Sequence, residues 1–132
     1  MRKLILLLSI TLTNFTNNNT STYVTRYAFI TDTEHDKAYD EDAKNGYVNI
    51  TTNIVSINCN IGTDAIVGQY IKHYAAEERT QNRDRAFIGS SGITSAWIYN
   101  SYDEALVSRR EWLAKKGNER KRTIKYFYVT CK

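Results

Sequence analysis

Apolar and polar positions alternate along some stretches of the chain and recur every three to four residues along others. Tyr23 to Thr31 is β-branched and aromatic, which suits a strand on a pleated, half-buried surface. Asp32 to Gly46 is polar and acidic and ends in Asn45-Gly46, so it reads as a long hairpin loop with a turn signal. Tyr47 to Asn60 is strand-like again, but its alternation changes phase near Thr52-Asn53. Val48 and Ile50 share one face, while Val55, Ile57 and Cys59 share a face of opposite parity. A tight turn or a bulge produces such a slip. With a turn, this half of the domain is a three-stranded meander.

The period then changes. After Asp64, a helix-capping residue, apolar side chains recur at Val67, Tyr70, Ile71, Tyr74 and Ala75, the spacing of a helix face. The polar run Glu77 to Arg85 ends that helix, and Gly89-Ser90-Ser91-Gly92 is a flexible loop. Ile93 to Tyr99 is a short strand. Ser101-Tyr102-Asp103-Glu104 is a capping box, and the helix it opens carries Tyr102, Ala105, Leu106, Trp112 and Leu113 as far as Gly117. Thr123 to Cys131 is the last strand. The order is β-β-β-α-β-α-β, which predicts an α+β fold: a β-meander followed by α-β-α-β, in one mixed sheet with two helices packed on one face. The final strand–helix–strand unit is expected to leave its two strands parallel.

The first residues read as an address. Met1-Arg2-Lys3 precedes Leu4 to Leu12, two positive charges and then a short apolar run, the pattern of a secretory signal. The run is too short to span a bilayer, which takes about 20 apolar residues. A spacer rich in Asn and Thr follows, with small residues at Thr20, Ser21 and Thr22 as cleavage candidates. Residues 1–22 are therefore read as signal peptide and polar spacer, and residues 23–132 as a single α+β domain in the periplasm or outside the cell. An uncleaved strand or anchor helix is the other reading. Export changes how the two cysteines are read. Cys59 and Cys131 are far apart and belong to no Cys-x-x-Cys pair, so they read as one disulfide, with two buried free thiols as the alternative.

Three stretches carry a resemblance: Ile54-Val55-Ser56-Ile57-Asn58-Cys59; the helix segment Gln69 to Tyr74; and Trp97 to Ala105 leading to Arg109-Arg110. They resemble the small, uncharacterised exported proteins of bacteroidete bacteria. The resemblance implies export and a cysteine pair, and no activity.

Candidate chemistry is sparse. The histidines are His35, in the acidic loop, and His73, on a helix; no Gly-x-Ser-x-Gly elbow or phosphate-loop pattern is present. The acidic run (Asp32, Glu34, Asp36, Asp40, Glu41, Asp42) is the best calcium candidate. An EF-hand counted from Asp32 needs glycine and glutamate where Lys37 and Ala43 stand. No catalytic residue, metal site or cofactor is assigned.

Charge changes the picture more. The formal net charge is +4, of which Arg2 and Lys3 belong to the leader. Tyr23 to Ile66 has net charge −4 and Val67 to Lys132 has +6. Arg109, Arg110, Lys115, Lys116, Arg120, Lys121, Arg122 and Lys125 form a basic stretch suited to a polyanion. The ten tyrosines fill strands and helix faces or present a contact surface. The leading expectation is a non-enzymatic exported binding or interaction module that meets a protein or a charged envelope surface. A polyanion or nucleic-acid binder using residues 109–125 is second, with nucleic acid disfavoured by export. A small hydrolase with a scattered site is third.

Overall fold

In the computed structural model, the structure describes residues 23–35, 47–80 and 94–132. The proposed leader, most of the acidic loop and the Gly-Ser-Ser-Gly loop lie outside these residues. The elements are β1 (Arg26–His35), β2 (Tyr47–Thr52), β3 (Val55–Ile57), α1 (Thr63–Thr80), β4 (Ser95–Tyr99), α2 (Tyr102–Lys115) and β5 (Lys121–Ile124). The fold is α+β, with a mixed five-stranded sheet and two helices, as the order of elements predicts.

Strand β1 is the centre of the sheet. It pairs antiparallel with β2, β3 and β4, and β5 adds to β2 in parallel. Tyr27, Ala28 and Thr31 of β1 pair with β4 and also with β2 or β3, so β4 occupies one edge of β1 and β2–β3 the other. Strands β4 and β5 consequently run in the same direction, as expected for the closing unit.

The phase slip is a bulge and not a turn. Thr31 faces Thr51 and Ala28 faces Val55, so Phe29 and Ile30 oppose three residues, Thr52, Asn53 and Ile54. One extra residue on one strand defines a bulge. Strands β2 and β3 thus follow one another along the same edge of β1, and the meander becomes a bulged hairpin. Side chains replace the interrupted ladder. Thr52 Oγ1 accepts from the Ile30 N–H at 3.0 Å, and the Thr51 hydroxyl donates to the Ile30 carbonyl at 2.9 Å. Arg109 Nε donates to the Thr52 carbonyl at 2.8 Å. These partners are why Thr51 and Thr52 are buried without cost to hydrogen bonding.

The last strand is shorter than expected. It ends at Ile124 because Tyr126 takes a left-handed backbone, φ +65°, which breaks the ladder. Asn53, on the bulge, bridges the break. Its Nδ2 donates to the Phe127 carbonyl at 3.0 Å and its Oδ1 accepts from the Phe127 N–H at 2.8 Å. The segment then returns to the Cys59–Cys131 disulfide, whose Cα atoms are 5.8 Å apart.

The helices lie on opposite faces of the sheet, which corrects the expectation of one shared face. Helix α1 buries Ile66, Tyr70 and Tyr74, spaced four apart, against Ala28, Ile30, Ile50, Val55, Ile57, Ile124 and Phe127. Each fully buried side chain of this size stabilises by roughly 1.5–3 kcal/mol relative to exposure. Helix α2 meets the odd-numbered face of β1. Tyr102 packs edge-on to Tyr27, and the Ser108 hydroxyl hydrogen-bonds Tyr99. Tyr27, Phe29 and Thr31 alternate with Ala28, Ile30 and Asp32, so β1 is apolar on both faces and each face takes its own helix. Ser101 caps α2, its Oγ accepting from the Glu104 N–H at 3.2 Å. Gly117, at φ +51°, follows the C-cap in the left-handed conformation that glycine adopts most readily.

Candidate functional site

The polar residues that sequence reading places in a loop begin inside β1. Asp32 is buried on the α1 face and accepts three hydrogen bonds: from the Thr33 N–H at 2.9 Å, the Thr94 hydroxyl at 2.8 Å and the Tyr70 hydroxyl at 3.1 Å. Burial first, and the carboxylates of Asp32 and Glu34 second, push the Tyr70 hydroxyl far above the usual tyrosine range, so it stays a donor. Tyr74 donates to Glu34 Oε2 at 2.7 Å, and Arg122 lies over the Tyr74 ring, 5.5 Å from its centroid. Asp32 and Glu34 therefore have hydroxyl partners. No group of three or more metal-ligating side chains occurs among the described residues. His73 packs edge-on against Phe127 and Tyr128.

The eight residues of the basic stretch go to several places. Arg109 is turned inward onto the bulge, and burial lowers its pKa. Lys115 borders a cavity of about 140 Å³ beside Phe29, Trp97 and Trp112. Lys121 donates to the Gly117 and Glu119 carbonyls just past α2, where a cation offsets the helix dipole. Neighbouring Arg122 points to the other face and α1, as strand alternation requires. Arg110 and Lys125 are exposed. Lys116 and Arg120 are the two that the fold brings to one cavity.

That cavity, of about 440 Å³, opens at the end of the sheet on the α2 face. Its walls are Thr33, Tyr47, Asn49, Lys116, Asn118, Glu119 and Arg120. The floor is Asn49, which is 1% exposed. Its backbone N–H donates to the Arg120 carbonyl at 2.9 Å and its Nδ2 to Glu119 Oε2 at 2.6 Å. Thr33 donates to its Oδ1 at 3.1 Å. The far wall is a turn closed by Glu119 N–H to the Lys116 carbonyl at 3.0 Å. Lys116 lies 5.3 Å from the Trp112 ring centroid, which orients its ammonium. Two cations, one carboxylate, two amides and the Tyr47 ring thus converge on one concavity held by hydrogen-bonded backbone. Sequence reading identified Lys116 and Arg120 but missed Asn49, Asn118 and Glu119, which have no shared spacing.

The chain matches no protein-family model, no curated protein and no solved structure. The disulfide and the α+β fold are features of the structure, and no described helix is long and apolar enough to cross a membrane.

Proposed function

We propose that this chain is an exported, non-enzymatic binding module, and that the cleft over Asn49 takes a small polar ligand bearing an acidic group. The cleft itself carries the proposal. Lys116 and Arg120 supply donors for an acid group, Glu119 and Asn118 serve hydroxyls or amines, and Tyr47 offers a ring against which a sugar can lie. This mixture of a few polar groups around a preformed concavity is what ligand sites share. Export draws support from the leader pattern, the disulfide, which persists in oxidising compartments, and the resemblance to small exported proteins. The periplasm or the cell exterior then holds the ligand, and acidic saccharides of the envelope fit the donor set.

The polyanion or nucleic-acid reading draws less support. A phosphate backbone needs its cations along one surface, and the basic stretch sends Lys121 and Arg122 to opposite faces. The hydrolase reading would need His73 near a nucleophile, and its ring lies between aromatic neighbours instead.

The test is a titration of the labelled protein with uronic-acid di- and tetrasaccharides, followed by amide chemical shifts. Saturable shifts at Tyr47, Asn49 and the turn 116–120, lost in Lys116→Gln and Arg120→Gln, support the reading. Spectra unmoved up to about 10 mM ligand, a free energy weaker than about −3 kcal/mol, reject this ligand class.

A further inference from the structure

Another cavity, of about 540 Å³, lies between α1 and the segment after Phe127, away from the Asn49 cleft. Gln69, Lys72, His73, Tyr128, Thr130 and Lys132 line it. Among these described residues none has a carboxylate side chain, in contrast to the Asn49 cleft with its Glu119. Two ammonium groups and an imidazole share the concavity with hydroxyls and an amide, so its side-chain chemistry favours a negative charge.

Three features hold the walls in place. Gln69 Nε2 donates to the Thr130 carbonyl at 3.0 Å, and its Oε1 accepts from the Thr130 N–H at 2.7 Å. The neighbouring Cys131 is tied to Cys59 by the disulfide. The His73 ring is wedged edge-on between Phe127 and Tyr128, with centroids 5.9 Å and 6.1 Å away. A site that is already assembled loses little on binding. The backbone adds a fourth observation. Tyr126 stands at φ +65°, a left-handed conformation that a non-glycine residue adopts only at a cost. It sends Phe127 into the core and leaves Tyr128 67% exposed at the cavity. Strain of this kind gathers at functional positions.

The geometry points to an oxyanion site: the α1 cavity binds a phosphate or sulfate group, with Lys72 and Lys132 supplying charge, His73 a ring donor, and Tyr128 a flank for the rest of the ligand. This site is separate from the Asn49 cleft and stands whether or not that cleft binds a saccharide.

The experiment is an amide-shift titration with inorganic phosphate and, in parallel, inorganic sulfate at constant ionic strength, on the oxidised full chain. Saturable shifts at Gln69, Lys72, His73, Tyr128 and Thr130, with Asn49 and Glu119 unmoved, are expected from at least one anion. Lys72→Glu and Lys132→Glu, both on exposed side chains, should each weaken binding by roughly tenfold while the rest of the spectrum is retained. Response to phosphate alone or to sulfate alone identifies the group. Shifts spread over all lysines, shifts that persist unchanged in both charge-reversal variants, or no saturation up to about 50 mM anion, about −1.8 kcal/mol, would overturn the site.

Discussion

The bulge makes a sharp demand on Asn53. Its side-chain amide makes both hydrogen bonds to the Phe127 backbone and so replaces the ladder that Tyr126 interrupts. In Asn53→Ala both partners lose their bonds. At about 0.5–1.5 kcal/mol net for each, with a further penalty wherever the freed group stays dry, the expected loss is about 2–3 kcal/mol. For a domain of this size that lowers Tm by roughly 8–12 °C. Urea unfolding of the oxidised protein, followed by tryptophan fluorescence, measures it. Asn53→Asp is the sharper probe. The ionised carboxylate can still accept from the Phe127 N–H but meets the Phe127 carbonyl without a proton to donate. Folding therefore favours the protonated acid and raises its pKa above the unfolded value. The deficit of Asn53→Asp relative to wild type should shrink as pH falls through about 4, where the neutral acid regains a donor. A loss below about 0.5 kcal/mol for Asn53→Ala, or a deficit in Asn53→Asp that does not change with pH, would refute this account of the bulge.

Other predictions follow from the same contacts. Replacing both cysteines by serine removes a cross-link over a separation of 72 residues, and chain entropy sets the loss at about 4 kcal/mol, read by urea unfolding. Combined with Asn53→Ala, the two losses should depart from additivity by about 0.5 kcal/mol or more, because both hold the same segment. The folded-state pKa of Tyr70 is raised above its unfolded value near 10, so its contribution is complete below that pH and declines above it by about 1.4 kcal/mol per pH unit. Tyr70→Phe should flatten part of that alkaline decline in unfolding free energy, and an unchanged slope would remove the argument. Arg109→Ala strips the Thr52 carbonyl of its guanidinium partner and should cost about 1.5–3 kcal/mol by urea unfolding.

Much of the fold was legible because the periodicities were strong. The α1 positions Val67, Tyr70, Ile71 and Tyr74, the Ser101 cap and the Gly117 terminator follow from local chemistry, and the structure places each accordingly. The phase slip at Thr52-Asn53 was visible too, but choosing bulge over turn required Thr51, Thr52 and Arg109 to meet Ile30 and each other across the sheet, which spacing does not encode. Strand β1 runs on past Thr31 to His35 for a similar reason. Asp32 is a poor strand residue on its own, and its donors Tyr70 and Thr94 lie 38 and 62 residues away. Thr123 to Cys131 alternates well enough to read as one strand, while the break after Ile124 depends on Tyr126 adopting a conformation that its type disfavours. The basic residues adjoin in sequence and so read as one feature; the fold divides them between a bulge, a helix terminus, two faces and a cleft. The cleft floor, Asn49, carried no signal beyond being a polar residue in an apolar alternation.

The proposed function joins export, which awaits its test, to the Cys59–Cys131 disulfide. The measurement that tests it most directly is the intact mass of the protein recovered from outside the cytosol of its host, with thiols alkylated before and after reduction. The account predicts a chain lacking about the first 20 residues, the span of a secretory leader, with Cys59 and Cys131 labelled only after reduction. A full-length chain confined to the cytosol, with both thiols labelled at once, would contradict it.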